Sequence, residues 1–168
     1  LYNKGNTTLI AYPSATGGVE IPDSVTTIGS YAFQGCKNLT SVTIPDSVSE
    51  IGQFAFAGCS SLTNVTIGDS VTSIGESAFY GCDSLTNIEV DSNNENYSDE
   101  EGVLYTKDKK EIIKYPAGKM EATYTIINGV TRIGYSAFSN SKSLKNIEIP
   151  SSVTSIACGA FSSCTSLT

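Results

Sequence analysis

The sequence predicts a repeat solenoid, a fold in which similar short coils stack along one axis. One 23-residue unit recurs at 21–43, 44–66, 67–89, 126–148 and 149–168, with the last copy three residues short. Apolar residues recur at fixed positions within this unit, and a second, hairpin-like segment occurs twice. A fixed period of this length is typical of solenoids, in which each unit contacts only its neighbours.

The apolar positions of the unit explain why the copies must stack. Each complete copy carries isoleucine or valine at four positions, a leucine, and an alanine–phenylalanine pair. Burying about eight such side chains contributes roughly 1.5–3 kcal/mol each, whereas ordering one unit costs on the order of 35 kcal/mol. One copy therefore cannot fold alone, and stacked copies must share their apolar faces. The recurring phenylalanines are Phe33, Phe56, Phe79, Phe138 and Phe161.

The elements of one unit follow from its local pattern. In the stretch LTSVTIP, Val42 and Ile44 alternate with polar residues, which predicts a short strand with one face inward. Pro45 ends that strand, since proline cannot donate to a continuing ladder. The stretch SVTTIG predicts a second, shorter extended segment that Gly29 closes. The stretch SYAFQGC is too short for a full helix and predicts one helical turn or an irregular bend.

A second kind of segment also occurs twice, because LYTKDKKEIIKYP at 104–116 matches LYNKGNTTLIAYP at 1–13. In both, a polar turn separates two apolar-rich runs, which is a β-hairpin pattern. We therefore expect a fragment of a longer array that begins on a hairpin strand, ends within a unit and lacks polar caps. The expected single solenoid domain, 1–168, comprises a hairpin module (1–20), three repeats (21–89), a loop and hairpin module (90–125) and two repeats (126–168).

Four of the five cysteines share one phase of the repeat, and the chain has no histidine. The usual zinc-ligand spacings are absent. Parallel neighbouring strands hold like side chains too far apart for an easy disulfide, so these thiols are expected to act as small apolar residues. Ser141 fills the same slot in one copy, and Cys158 is expected at the surface, where it could react. The four in-phase cysteines are Cys36, Cys59, Cys82 and Cys164.

Composition and charge exclude several classes of function. The net charge of -7 disfavours binding to nucleic acid or to anionic lipid, and no apolar run approaches the length that spans a bilayer. We expect no cofactor, no metal and no nucleic acid partner. The acidic loop at 91–102 partly mimics a calcium loop through Asp91, Asn93 and Glu95. It has Asn96 where glycine is required, which favours a solvated bridging loop.

The repeat wording IPDSVTSIGxxAFxGCxSLTxVT closely resembles the BspA-type leucine-rich repeats, and the linker NxxYSDEEGVLYTKDKKEIIKYP resembles the element between such repeats. The resemblance covers essentially the whole chain. It implies a curved leucine-rich-repeat solenoid with short parallel β-strands on the concave face, irregular or short helical bends opposite, and inserted β-hairpin modules. It also implies secreted or surface-anchored proteins of anaerobic bacteria and some protozoa, associated with adhesion. Asn140–Ser141 and Ala157–Cys158 depart locally from the repeat wording.

The polar residues between the inward-facing strand residues are the candidate binding site. They would form a polar lattice on the concave face, where solenoids commonly bind partners. The alternative is a simply solvated sheet face, because no aromatic residue anchors the lattice. The candidates are Ser41, Thr43, Asn64, Thr66, Asn87, Glu89, Asn146 and Glu148.

No catalytic constellation is visible, because there is no histidine and no motif supports a serine–lysine pair. The leading hypothesis is a non-catalytic, extracellular or cell-surface module that binds a protein ligand, either a host matrix protein or another cell-surface protein. The alternative is a structural spacer, or an accessory region of a larger surface protein or enzyme. No segment of the chain is expected to insert into a membrane.

Overall fold

The computed structural model describes residues 1–168 and contains strands, turns and bends but no helix. It therefore has no helix long and apolar enough to cross a membrane. In chain order the strands are β1 (Thr8–Leu9), β2 (Thr16–Glu20), β3 (Thr27–Ile28), β4 (Asn38–Ile44), β5 (Glu50–Ile51), β6 (Asn64–Ile67), β7 (Ser73–Ile74), β8 (Asn87–Val90), β9 (Tyr97–Glu100), β10 (Val103–Thr106), β11 (Glu111–Lys114), β12 (Thr123–Thr125), β13 (Arg132–Ile133), β14 (Asn146–Glu148) and β15 (Ser155–Ile156).

Each coil contributes one strand to each of two parallel ladders. The longer strands form the sheet β2-β4-β6-β8, which we call the concave sheet, and the two-residue strands form the sheet β1-β3-β5-β7. Val42 is paired with Val65, and Val65 with Ile88, so equivalent residues of successive copies lie side by side. The predicted solenoid, stacked in register, is confirmed.

The stacking produces one continuous apolar interior through the first coils, a core of 26 buried residues. Its centre is a column of phenylalanine rings. The Phe33 and Phe56 centroids are 4.9 Å apart and the Phe56 and Phe79 centroids are 5.5 Å apart, with nearly parallel planes. Stacked rings add to the stabilisation that burial alone supplies.

The bend opposite the concave sheet is irregular rather than helical. Every second amide of the bend donates to the next coil, as Phe33 N does to Ala55 O at 2.7 Å. The amides between them donate three residues back within the bend, as Gln34 N does to Tyr31 O at 3.0 Å. Because bonds to the next coil alternate with these local turn bonds, no continuous helical series forms within the bend. Of the two forms that the sequence left open, the irregular bend is therefore the one adopted.

Both predicted hairpins are present, and each also completes a coil. Strands β10 and β11 pair antiparallel, and Tyr2 forms an antiparallel bridge with Leu9. The second strand of each hairpin then joins the short-strand ladder, with β1 beside β3 and β11 beside β13. Strand β2 pairs with β4 and strand β12 pairs with β14, so each hairpin module supplies the first strands of the stack that follows it.

Both ladders are nonetheless interrupted after the third repeat, between β7 and β11 and between β8 and β12. The segment 91–102 closes this break. Asn94, which is fully buried, donates through Nδ2 to Gly68 O at 2.9 Å and Val71 O at 3.1 Å. The amide of Ile74 donates to the Tyr97 hydroxyl at 3.0 Å. This loop, expected to be solvated, is thus partly built into the interior.

Candidate functional site

Six of the eight predicted site residues form two rows across the concave sheet. Ser41, Asn64 and Asn87 are paired in register on β4, β6 and β8. Thr43, Thr66 and Glu89 form the second row on the same three strands. The inward residues between them are buried, whereas Asn64, Thr66 and Glu89 are exposed.

The remaining two residues lie apart from these rows. Asn146 and Glu148 are exposed on β14, which pairs only with β12 in a separate two-stranded sheet. Their paired neighbours are Thr123 and Thr125. The structure therefore divides the predicted lattice into a group of six residues and a group of two, on opposite sides of the break.

Sequence reasoning missed the members of these rows that the hairpin modules supply. Glu20 on β2 is paired with Thr43, and Thr123 and Thr125 extend the second group. A signal was available. Glu20 precedes an Ile–Pro pair, as do Thr43 and Glu148. An interpretation of the hairpin modules as separate insertions does not include these strands in the rows.

The lattice is partly crosslinked by its own hydrogen bonds. Asn87 donates to Glu89 Oε1 at 2.8 Å, and Thr125 donates to Glu148 Oε2 at 3.1 Å. No residue of the central strand β6 takes part in these two bonds. Its exposed side chains, Asn64 and Thr66, are therefore not engaged by these lattice bonds and can bond to a partner.

Acidic residues border the rows where the concave strands end. A groove of about 650 Å³ runs along this edge and is lined by Asp23, Asp46, Glu89 and Asp91 among other residues, with no lysine or arginine. The Asp46 carboxylate accepts one hydrogen bond from the Asp69 amide at 3.0 Å. The edge therefore carries uncompensated negative charge, in keeping with the net charge of -7.

The comparisons with known proteins agree with this geometry. Residues 12–118 and 119–168 match the family described as the BspA type leucine rich repeat region, in six copies. The chain belongs to this family. No curated protein matches the chain significantly.

Solved structures share the BspA-type leucine-rich-repeat fold. A leucine-rich repeat protein from Eubacterium ventriosum matches with a TM-score of 0.65 and 27% identity, over 89% of this chain and 58% of that protein. A leucine rich cell surface protein from Faecalibacterium prausnitzii matches with a TM-score of 0.69 and 29% identity, over 90% and 52%. The pneumococcal vaccine antigen PcpA matches with a TM-score of 0.69 and 22% identity, over 99% and 52%. The chain thus spans only about half the length of these proteins.

The repeated cysteines of this BspA-type stack are all free thiols. They are more than apolar fillers, because each in-phase thiol donates to the carbonyl of an aromatic residue in the preceding coil. Cys59 Sγ lies 3.1 Å from Phe33 O, and Cys164 Sγ lies 3.0 Å from Phe138 O. The neighbouring Cys82 thiol and burial raise the pKa of Cys59. Cys158 is exposed, as expected.

Ser141 does not reproduce the bond of the cysteines whose slot it fills. Its hydroxyl is buried and has no hydrogen-bond partner. A C–O bond is shorter than a C–S bond, so the oxygen does not reach as far toward the preceding coil. Serine is therefore accommodated there rather than equivalent to cysteine.

Lys114 is the one buried charged residue of the stack. Its Nζ donates to Ser136 O at 3.2 Å, Ser139 O at 3.4 Å and Ser139 Oγ at 3.2 Å, all uncharged acceptors. Burial lowers the pKa of Lys114 to about 8, although Cys82, Cys164 and Asp83 oppose the shift. With its three protons engaged, this amine is held as a structural donor and not presented as a nucleophile.

The structure offers no grouping of three or more histidine, cysteine, aspartate or glutamate side chains that could hold a metal ion. In the acidic loop, the Asp91 carboxylate accepts the Asn93 amide at 2.8 Å. That bond is a local turn interaction and brings no second carboxylate to the same point.

Proposed function

We propose that the chain is a non-catalytic, adhesion-type module that binds a protein partner on its concave sheet, outside the cell or at its surface. The observation that carries the proposal is the pair of polar rows that cross β4, β6 and β8 at the spacing of successive strands. Such an array offers regularly spaced donors and acceptors on a rigid support.

The energetics favour many weak contacts. A net hydrogen bond contributes about 0.5–1.5 kcal/mol, and no aromatic anchor concentrates the binding energy on this face. Multivalent display multiplies such contacts. The acidic groove at the edge, with Asp23, Asp46 and Asp91, complements a positively charged segment of the partner, which raises the association rate and makes binding sensitive to salt.

The family supports this proposal. Leucine-rich repeats of this type are protein-interaction modules, and a protein that shares 29% identity with this chain is described as a cell surface protein. This chain covers only 52% of that protein. The surface location and the protein partner are therefore proposals for this chain.

A biosensor experiment tests the proposal. The protein is immobilised and exposed to a panel of purified extracellular matrix proteins, at low and at moderate salt. The test variant combines Asn64→Ala, Thr66→Ala and Glu89→Ala, which truncate exposed side chains. The loss of two or three net contacts is expected to weaken binding by about tenfold or more.

Matched control substitutions lie on the opposite side of the coils, at exposed bend positions: Gln34→Ala and Gln53→Ala. They should leave both binding and the thermal midpoint unchanged. If no matrix protein is retained, or if the control and test variants bind equally well, the concave-face proposal is wrong and the spacer alternative is favoured. A thermal melt of each variant separates lost binding from lost folding.

A further inference from the structure

The turn at 127–130 is less constrained than its copies at the ends of the other concave strands. In three copies a proline begins the turn, at Pro22, Pro45 and Pro150, and the closing amide lies 2.9, 3.0 and 3.1 Å from the proline carbonyl oxygen. Ile127 replaces the proline here, and Val130 N lies 3.4 Å from Ile127 O. Proline restricts its own backbone, and 3.4 Å is long for a bond from an amide. This turn is therefore expected to open more easily than its copies.

The two central residues of this turn form an asparagine–glycine pair, which occurs nowhere else in the chain. Asn128 is exposed, so its side chain can turn toward the backbone. Gly129 has a φ of +98°, where a residue with a β-carbon is strained. Apart from its chain neighbours, a β-carbon at Gly129 would meet only Lys110 Nζ, at 4.0 Å. The backbone nitrogen of Gly129 is therefore not shielded by a side chain.

The Gly129 amide is also weakly held. Its nitrogen lies 3.3 Å from Ser152 Oγ, and the Ser152 hydroxyl donates its own proton to Val130 O at 2.7 Å. The Lys110 ammonium group lies 3.4 Å from Gly129 O. A nearby positive charge favours the deprotonated form of a group. It therefore favours the amide anion through which a backbone nitrogen acts as a nucleophile.

We propose that Asn128 is a site of spontaneous deamidation in the folded protein. The Gly129 nitrogen attacks Asn128 Cγ and forms a new C–N bond. The C–N bond of the side-chain amide breaks, and ammonia leaves with the proton that the backbone amide has lost. The product is a cyclic succinimide. Water then adds to either ring carbonyl carbon and breaks its bond to the ring nitrogen, which leaves aspartate or isoaspartate.

The reaction changes the charge of the edge where the concave strands end. Asn128 occupies the repeat position of Asp23, Asp46 and Asp69, and the copy that follows it carries Ser151. The two repeats after the break therefore have no acidic residue at this position until Asn128 reacts. Aspartate adds a carboxylate at the turn, whereas isoaspartate also moves a methylene group into the main chain. The modification does not depend on the protein partner proposed above.

The chain contains an internal control. Asn146 is exposed, as Asn128 is, but it lies on β14 and precedes Ile147, whose branched side chain shields the backbone amide between them. Digestion with trypsin yields the peptides 120–132 and 146–168, each with a single asparagine and no glutamine. A gain of mass in either peptide therefore reports on one residue.

Mass spectrometry of these peptides, from protein aged at pH 6 and at pH 8, tests the proposal. We expect 120–132 to gain the mass of an amide-to-acid conversion and to separate into aspartate and isoaspartate forms, while 146–168 stays unchanged. The reaction should be several-fold faster at pH 8, because the fraction of amide anion rises with pH. The folded protein should react within about tenfold of the rate of a free synthetic peptide 120–132, since a weakly held turn opens readily.

Two variants test the parts assigned to single residues. Gly129→Ser introduces the residue that the other copies carry at this position and should slow the reaction by about tenfold or more, because a β-carbon then shields the nitrogen. Lys110→Gln removes the ammonium group and should slow the reaction of the folded protein but not that of the protein unfolded in urea. A thermal melt shows whether each variant folds.

Three outcomes overturn the proposal. If the folded protein reacts more slowly than the tenfold limit allows, the native turn protects Asn128. If 146–168 is modified as fast as 120–132, the turn at 127–130 has no special reactivity. If folded Gly129→Ser reacts as fast as the wild type, Gly129 is not the nucleophile. Should Gly129→Ser fail to fold, the comparison with the free peptide decides the question. An unchanged rate in Lys110→Gln removes the part assigned to its ammonium group.

Discussion

The regular repeats at 21–89 and the hairpin coil at 103–118 both contribute to the apolar interior of the solenoid but differ in how their buried polar groups are satisfied. In the regular repeats the column of phenylalanine rings is continuous, and the thiol of Cys59 or Cys82 bonds to the coil before it. In the hairpin coil the ring column restarts at Tyr115, whose hydroxyl has no partner.

The difference shows what exact repetition achieves. When neighbouring coils have the same length, each buried donor faces an acceptor in the neighbouring coil, and the same donor–acceptor pair recurs from one coil to the next. The hairpin coil has no bend of its own, so the coils on either side meet directly. The Ser77 and Ser136 hydroxyls are 3.0 Å apart, and Asp83 bonds to Asn140 and Lys142. Lys114 fills the remaining interior space.

The largest expected effect is the loss of a ring inside the regular column. Phe56→Ala removes a fully buried ring that stacks on both Phe33 and Phe79, and should destabilise the protein by about 3–5 kcal/mol. Phe161→Ala removes a half-buried ring with one stacking partner and should cost clearly less. Urea unfolding followed by circular dichroism measures both. Equal losses would contradict the importance of the continuous column.

The next effect concerns the pH dependence of Lys114. Its pKa is about 8 in the folded protein against 10.5 normally, so the folded state binds fewer protons between these values. The free-energy cost of burying the charged Lys114 ammonium group is therefore complete below pH 8 and disappears as the pH rises to 10.5. Over this window the stability of the wild type should rise relative to Lys114→Met by up to about 3 kcal/mol.

Unfolding of both proteins at pH 7, 9 and 10.5 measures that difference and cancels the titration of the tyrosines and cysteines common to both. A constant difference across the window would mean that the ammonium group is solvated and does not lie in the closed interior.

A smaller effect distinguishes how closely the coils approach in the two regions. A β-carbon at Gly75 would lie 2.3 Å from Gln53 N, a backbone atom of the preceding coil. Gly75→Ala should therefore cost about 1–3 kcal/mol through forced separation. At Gly134, beside the hairpin coil, the nearest atoms are 2.9 Å away and one belongs to the flexible Glu111 side chain. Gly134→Ala should cost less, and thermal unfolding of the pair provides the measurement.

The smallest effect is a gain. Ser141→Cys places a thiol, on a longer bond, in the slot equivalent to that of Cys164, which donates to the carbonyl 26 residues earlier. For residue 141 the corresponding acceptor is Tyr115 O. Making this bond should stabilise the protein by about 1 kcal/mol. The reverse change, Cys59→Ser, should destabilise it by a similar amount. If Ser141→Cys proves destabilising in chemical denaturation, the thiol ladder is a consequence of packing and contributes little.

The residues that repeat are the ones whose environment could be predicted from the sequence. Phe56 and Val65 have copies at equal spacing, so each copy constrains where the others lie, and both the register and the interior follow. The exposure of Asn64 and Thr66 followed from the same alternation. Whether that face binds a partner depends on surface chemistry that periodicity does not encode.

The hairpin coil could not be predicted in this way. Lysine on a hairpin strand is ordinarily solvated, and Lys114 is buried only because the neighbouring coils close over it. Tyr97 and Asn94 seal the break through bonds to coils 23 and 26 residues away, and no copy of either exists to reveal them. The one available hint is that Lys114 occupies the position of Ala11 in the otherwise similar first hairpin.

The coil-to-coil pairing of the parallel strands has a mechanical consequence. When a solenoid of this kind is pulled along its axis, the load falls on the hydrogen bonds between the last coil and its neighbour. The coils therefore detach one after another from the end. Each repeat that detaches lengthens the chain by about 80 Å, at roughly 3.3–3.6 Å per residue. A stack of such coils therefore absorbs tension in discrete steps, and we expect the interruption after Val90 to be where one series of steps ends and another begins.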